Sequence, residues 1–510
     1  MSARPAAAVL ATGLALPALA GAACVAGFAP LYGWPVPLLA LAALFAVWSR
    51  SGSPLQAGLS GFAFGLGLNL AGVSWVFVSL HEFGHMPAVL AAVATFLFCA
   101  YLALFPAAAG WIAVRFAGRG PLAFAGPAAW LVLSEWVRGW LFTGFPWLAL
   151  GYTQVPQSPL AGFAPVAGAY GVSLALALSA ALLAATFSSR AWSRRRAVLA
   201  GACALVFAAG GALKLVPWTQ PAGASVEVAL LQGNVSQHLK WREDVREKTL
   251  RDYARAAVAS EAKVVILPET ALPAFLDQLP PGYLAALGEI ASKQGKAIFL
   301  GTVEREFEGE RFRYYNSVVA LGEAPARAYR KRHLVPFGEF IPPGFGWIVT
   351  VLKIPLTDFA RGPAGQPLLE AAGVRWGAAI CYEDIFGEEV IEALPAAGIL
   401  FNVSNDAWFG ESLAADQHLQ FSQMRALETG RWMVRATNTG VTAAIDETGR
   451  VVSRLPAFVA GELRASPVPR SGTTPYAAAG NLPALLTAVL LAVLAGRGDR
   501  GNSRPAARPR

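Results

Sequence analysis

Ala379-Ile380-Cys381-Tyr382-Glu383-Asp384 closes an apolar, strand-like run that begins at Trp376, and it puts a lone thiol just past the strand end. Pro268-Glu269-Thr270 and Tyr329-Arg330-Lys331-Arg332-His333 lie upstream, also in the middle of the chain. Around them, short β-type runs (Val226–Leu231, Val264–Leu267, Ala297–Leu300, Ser317–Leu321, Trp376–Ile380 and Ile399–Val403) alternate with helical segments at 243–260, 282–294 and 416–428. Such alternation predicts a layered α/β domain. Glu269 and Cys381 both follow strand ends, where α/β folds usually assemble their sites.

Glu, Lys and Cys in this order are the parts of a thiol acyl-transfer site. A thiol becomes a nucleophile when a base removes its proton and a cation stabilises the thiolate. Glu269 can be that base. Lys331 can favour negative charge on sulfur and on a tetrahedral oxyanion. A cysteine after a buried strand is otherwise a small core residue, so the reading rests on the neighbours. Cys24, Cys99 and Cys203 all lie in apolar runs, which leaves Cys381 without a disulfide partner in the polar block.

The flanks are of a different composition. The chain is 55% hydrophobic and 14% charged, against roughly 25% charged in ordinary soluble domains. Before residue 217 the only acids are Glu82 and Glu135. Apolar runs near 8–29, 55–80, 88–114, 121–138, 163–187 and 197–217, shorter ones near 35–49 and a last one at 481–496 predict about eight transmembrane helices. The expected division is a bundle of seven helices over 1–217, a globular domain over 218–480, a final helix at 481–496 and a basic tail at 497–510.

The net charge of +9 resides largely in short loops and in the tail, so it predicts membrane topology and not a nucleic-acid groove. With the N-terminus inside, Arg50, Arg115, Arg119, Arg190, Arg194, Arg195, Arg196 and the tail all fall inside, and the globular block falls outside. The first apolar run also fits a signal peptide ending near Ala18-Leu19-Ala20, but its continuation predicts a retained helix.

Pro268-Glu269, Tyr329-x-Lys331 and Ile380-Cys381-Tyr382-Glu383 resemble the three motifs of the nitrilase superfamily. Further strings are similar to its membrane-embedded branch, the apolipoprotein N-acyltransferase family: Gln232-Gly233-Asn234, His333 to Glu339, Asn402 to Phe409, and Arg425-Ala426-Leu427-Glu428. The resemblance implies an αββα sandwich joined to a helical bundle in the bacterial inner membrane, with the catalytic domain in the periplasm. It implies a phospholipid acyl donor, a diacylglyceryl-modified apolipoprotein acceptor and a Cys381 thioester, with no cofactor or metal. It also points to Trp241, Glu339, Tyr382 and Glu383 as supporting residues, with Glu383 expected as an ion-pair partner of Lys331.

The run from Phe337 to Ile348, with Phe345 and Trp347, is apolar and glycine-rich, as a membrane-dipping lid would be. Glu135 and Arg138 are expected to form an i,i+3 ion pair, or to put Arg138 on a headgroup phosphate. Three rivals stand beside this reading. A membrane-tethered amidase would share the triad but would not need the helices. A zinc protease would use His81-Glu82-Phe83-Gly84-His85, yet Gly84 and Pro87 predict a loop there. A transporter would need charges in mid-helix.

Overall fold

The computed structural model describes residues 6–187, 194–308, 311–322, 327–342, 344, 346 and 358–497. Phe345 and Trp347 lie outside the described residues.

Between residues 226 and 474 the chain builds two six-stranded sheets. One runs in the order 461–465, 228–232, 264–266, 297–308, 311–321, 327–330; the other in the order 451–454, 443–445, 433–437, 399–404, 374–380, 369–371. The period-2 alternation of strands assigns each side chain to a layer. Val228, Leu230, Val264 and Ile266 face the second sheet, meeting Trp376, Ile380, Phe401 and Val403. Ala229, Leu231 and Val265 face the other way, onto Leu250, Tyr253 and Ala257 of helix Glu243–Ala259 and Leu287 and Ala291 of helix Tyr283–Lys293. Leu400 and Met433 meet Leu419 and Ala426 of helix Ala414–Thr429 on the far side. The result is the expected αββα sandwich.

Apolar helices span Ala6–Cys24, Pro35–Arg50, Pro54–Gly72, Ala88–Arg115, Ala125–Arg138, Ala164–Phe187, Arg194–Leu213 and Leu482–Gly496. They fall close to the expected runs, but fewer than eight qualify as spans on length and apolarity. Three do so alone, at Ala88–Arg115, Pro159–Phe187 and Arg194–Leu213; the pair Pro54–Gly72 and Val76–Phe83, bent by 60°, makes a fourth if it is one span. Pro35–Arg50, Ala125–Arg138 and Leu482–Gly496 are shorter, at 16, 14 and 15 residues. At 1.5 Å per residue a 16-residue helix reaches about 24 Å, less than the roughly 30 Å of hydrocarbon. Val89, Leu90, Val93, Phe96, Leu97 and Leu104 on Ala88–Arg115 point outward and exposed. A row of that kind is stable against lipid and costly against water.

Helix Ala414–Thr429 joins the two halves. Its described residues are nearly all buried, although many are polar. Three glutamines at i, i+3 and i+6 explain how. Gln417 accepts from Trp147 Nε1 at 2.7 Å and Trp75 Nε1 at 3.3 Å, and donates to the Gly72 carbonyl at 3.0 Å. Gln420 accepts from the Ala29 N–H at 3.0 Å and donates to the Val155 carbonyl at 3.2 Å. Gln423 accepts from the Tyr32 hydroxyl at 2.8 Å. A buried amide costs little when its bonds are made, so this face fixes the sandwich on the bundle in one register.

Candidate active site

Three left-handed residues aim the candidate side chains. Cys381 itself has φ +52°, Thr270 after Glu269 has φ +49°, and Phe337, two residues before Glu339, has φ +62°. Such conformations are uncommon for residues with a Cβ and persist where the surroundings enforce them.

Cys381 leaves strand Val374–Ile380 and opens the 3₁₀ turn Cys381–Ile385. Its carbonyl accepts from Asn402 Nδ2 at 3.0 Å and from His418 Nε2 at 3.1 Å. His418 also meets Asp406 through Nδ1 at 2.8 Å and Asp384 through Nε2 at 3.0 Å. Arg435 braces both aspartates, at 3.3 Å from Asp384 and 2.9 Å from Asp406. Burial alone would push His418 down, but the two aspartates outweigh it and raise it to about 9. It is therefore an imidazolium at neutral pH, with both N–H groups donating.

Glu269 follows strand Val264–Ile266 at the same end of the sandwich. Its Oε1 accepts from Asn316 Nδ2 at 2.7 Å and its Oε2 from the Asn405 N–H at 2.8 Å. Gly301 on the neighbouring strand permits this approach, since a Cβ there would lie 2.3 Å from the Pro268 carbonyl oxygen and 2.7 Å from Glu269 Cα.

Lys331 follows strand Arg327–Arg330 and is held by a bond from its N–H to the Asn316 carbonyl at 2.8 Å. Its Nζ lies 3.6 Å from Glu269 and 2.9 Å from Glu339. Burial pulls the ammonium down, but Glu339, Glu269 and the Cys381 sulfur together hold it well above the usual lysine range. The Cys381 thiol is pushed far up, first by burial and then by the Glu269 charge; Lys331 and a hydrogen bond with Ser404 work against that rise. The resting pair is thus a thiol beside a base, with a permanent cation at hand. This arrangement can deprotonate sulfur as it attacks a carbonyl.

The supporting residues are placed as follows. Glu339 sits inside the triad, sharing Asn316 Nδ2 at 2.9 Å and accepting from the Val335 N–H at 2.8 Å. Glu383 makes no ion pair with Lys331. Its carboxylate instead accepts from the N–H groups of Ile380 at 2.7 Å, Arg332 at 2.5 Å and His333 at 3.1 Å, and from the Tyr329 hydroxyl. It fastens the segment after Lys331 to the segment carrying Cys381, and burial raises it to about 7 against those bonds. Tyr382 is buried and donates to the Gly144 carbonyl at 3.1 Å. Its ring stacks on Phe145 and Trp147 of the loop between bundle helices, so the residue after the thiol is plugged into the membrane part. Trp241 is 41% exposed, on the turn beside the site.

Sequence reasoning did not single out Asn316, Asn405, Ser404, His418 or Lys240. Asn405 and Ser404 lie within the 402–409 string, and Lys240 precedes Trp241, but neither type nor spacing marks a role. His81-Glu82-Phe83-Gly84-His85 is not a pair of ligands on one α-helical face. It is a π-helical turn from Ser79 to Phe83, then Gly84, then His85 at φ +52°. His81 Nδ1 lies 2.8 Å from the Met86 carbonyl, and the Phe83 ring stacks on His238 at 4.9 Å. Glu135 and Arg138 are both buried but form no ion pair, and Glu135 instead accepts from the Leu150 N–H at 3.0 Å.

Residues 227–474, which carry Glu269, Lys331 and Cys381 on the αββα sandwich, match the carbon-nitrogen hydrolase family. Residues 20–182 match the apolipoprotein N-acyltransferase N-terminal domain. The apolipoprotein N-acyltransferase of Nitrosomonas europaea is 50% identical over 486 residues, covering 94% of this chain and 97% of the relative. That of Chromobacterium violaceum is 46% identical, covering 95% and 94%, and that of Methylococcus capsulatus is 48% identical, covering 90% of each. The chain belongs to the apolipoprotein N-acyltransferase family; it is an acyltransferase and a membrane protein.

Proposed function

We propose that this chain transfers an acyl group from a phospholipid to the α-amino group of the N-terminal diacylglyceryl-cysteine of an apolipoprotein, through a thioester on Cys381. Glu269 accepts the Cys381 proton as sulfur attacks the acyl ester, and returns it to the departing lysophospholipid. Glu269 then deprotonates the incoming amine, which attacks the thioester and frees the thiol. Lys331 stabilises the oxyanion in both halves, with the Tyr382 N–H, which leads the 3₁₀ turn and has no partner within that turn. The relatives' name supports the acceptor class.

The observation that carries the reading is the pairing of Cys381 and Tyr382. The charges of Glu269 and Lys331 both act on the thiol, while the next side chain enters the bundle's aromatic loop. A water-facing amidase has no reason for that plug. Trp241 at the mouth, Glu339 on Lys331, and the Phe345 and Trp347 segment as lid complete the site in this reading. All eight apolar helices cross the inner membrane in this reading, the shorter ones where the bilayer thins locally around them, with 218–480 in the periplasm. The test is mass analysis of purified protein for a fatty acyl adduct on Cys381. The wild type should carry it, Cys381→Ser should carry no thioester and turn nothing over, and retained turnover in Cys381→Ser would remove the thiol as nucleophile.

A further inference from the structure

The site contains a second buried ammonium that the triad does not use. Lys240 is 3% exposed, and its side chain makes no hydrogen bond or ion pair among the described residues. Lys331, by contrast, has a carboxylate on either side. Glu269 is the charged group that acts on Lys240, and it does not offset the burial that brings the lysine down to about 8.

The turn holding Lys240 is firmly placed. Its N–H donates to the Ser236 carbonyl at 3.0 Å. Gln237 accepts from Asn405 Nδ2 at 2.8 Å, and the Asn405 N–H is the same group that bonds Glu269. On its other side, His238 stacks on Phe83 from the end of the bent helix pair. The turn that carries Lys240 therefore runs between Asn405, which bonds Glu269, and the membrane-side segment at 79–83. A buried ammonium without a direct hydrogen-bond or ion-pair partner is expensive. It is tolerable in a protein whose ligand supplies the missing anion.

We propose that Lys240 binds the phosphodiester anion of the acyl donor's headgroup, an assignment that rests on the donor reading above. The phosphodiester lies only a few bonds from the ester carbonyl that Cys381 attacks, so one side chain near Glu269 can hold it during that step. The acceptor offers no such group. Its reacting centre is an amine, which a nearby cation would repel when protonated. Lys240 is thus the residue by which the site distinguishes a phospholipid from a phosphate-free acyl ester.

The test uses full-length enzyme in mixed micelles with two donors, phosphatidylethanolamine and a phosphate-free fluorogenic fatty-acyl ester. The readout is the ratio of kcat/KM for the phospholipid to that for the ester, which cancels any loss of folded protein. Lys240→Met and Lys240→Gln should each lower this ratio about tenfold or more, chiefly through KM for the phospholipid, as removal of a charge-assisted bond predicts. Lys240→Arg should restore most of it. An unchanged ratio, with both donors failing equally, would mean that Lys240 acts on Glu269 and would overturn the assignment alone. A wild-type enzyme that forms no thioester from phospholipid would overturn the donor reading together with it.

Discussion

Glu339 stands 2.9 Å from the Lys331 ammonium, nearer than Glu269 at 3.6 Å, and shares Asn316 with it. Two carboxylates thus divide one cation. In the proposed reaction, Glu339 bears on the position and charge of Lys331, while Glu269 is left to exchange a proton with sulfur. Glu339→Gln should keep its hydrogen-bonding shape and lose the charge. The expected result is slower thioester formation, by about ten- to a hundredfold, because the lysine shifts toward its remaining partner. Glu269→Gln should be more severe, since an amide takes no proton. Equal rates of thioester formation in the two variants, measured by quenched-flow mass spectrometry, would contradict this division.

Gly301 offers a test of geometry away from the reacting groups. A methyl there would sit 2.3 Å from the Pro268 carbonyl oxygen and 2.7 Å from Glu269 Cα, both backbone atoms. Backbone must move, and Glu269 moves with it. Gly301→Ala should cost about tenfold or more in kcat. Full activity at an unchanged unfolding midpoint would show that Glu269 tolerates the shift.

His418 ties stability to pH. Its folded value, about 9, lies above the ordinary histidine value of about 6.5. Its contribution is therefore complete below about pH 6.5 and is lost as pH rises through about 9, at roughly 1.4 kcal/mol per pH unit between them. Melting temperatures of detergent-solubilised protein should fall across pH 7 to 9.5. His418→Gln, which cannot ionise, should start lower and fall less. Parallel slopes for the two proteins would place the pH dependence elsewhere.

How much of this could be read from the sequence depended on the signal each element carries. The strands Val264–Ile266 and Ile399–Ser404 are buried on both faces and show as continuous apolar runs. Met433–Thr437 was not legible, because Arg435 interrupts it; the arginine is tolerated there only because Asp384 and Asp406, distant in sequence, meet it. Gly461–Ala465 is a charged edge strand with no apolar period. Glu269, Lys331 and Cys381 were recognisable by order and type. The role of Glu383 was not, since its partners are backbone N–H groups that any residue would supply. The number of spans was less legible, because apolar composition records burial in a bundle as readily as contact with lipid, and three or four helices meet the length and apolarity of a span among the described residues.

The arginine asymmetry predicts that 218–480 lies outside the cytoplasmic face. A reporter that fluoresces only in the cytoplasm, fused after residue 218, should stay dark. Bright fluorescence there would reverse the topology.

Substrate access yields the last expectation. Donor and acceptor both carry acyl chains, and each CH₂ withdrawn from lipid into water costs about 0.8 kcal/mol. The site should then open sideways onto the outer leaflet. The segment that continues from Glu339 is the proposed lid over that opening. Its first residues are anchored at the triad through Lys331, and Arg361 lies over the Phe340 ring at 5.5 Å. Its later residues, through Phe345 and Trp347, are apolar and aromatic, suited to the interface. Such a lid would couple membrane contact to the position of Glu339. Replacing Phe345 and Trp347 with Ser should therefore impair turnover of bilayer phospholipid about tenfold more than turnover of a short-chain soluble ester. Equal losses on both substrates would mean that the segment supports the triad or the fold and does not gate the bilayer.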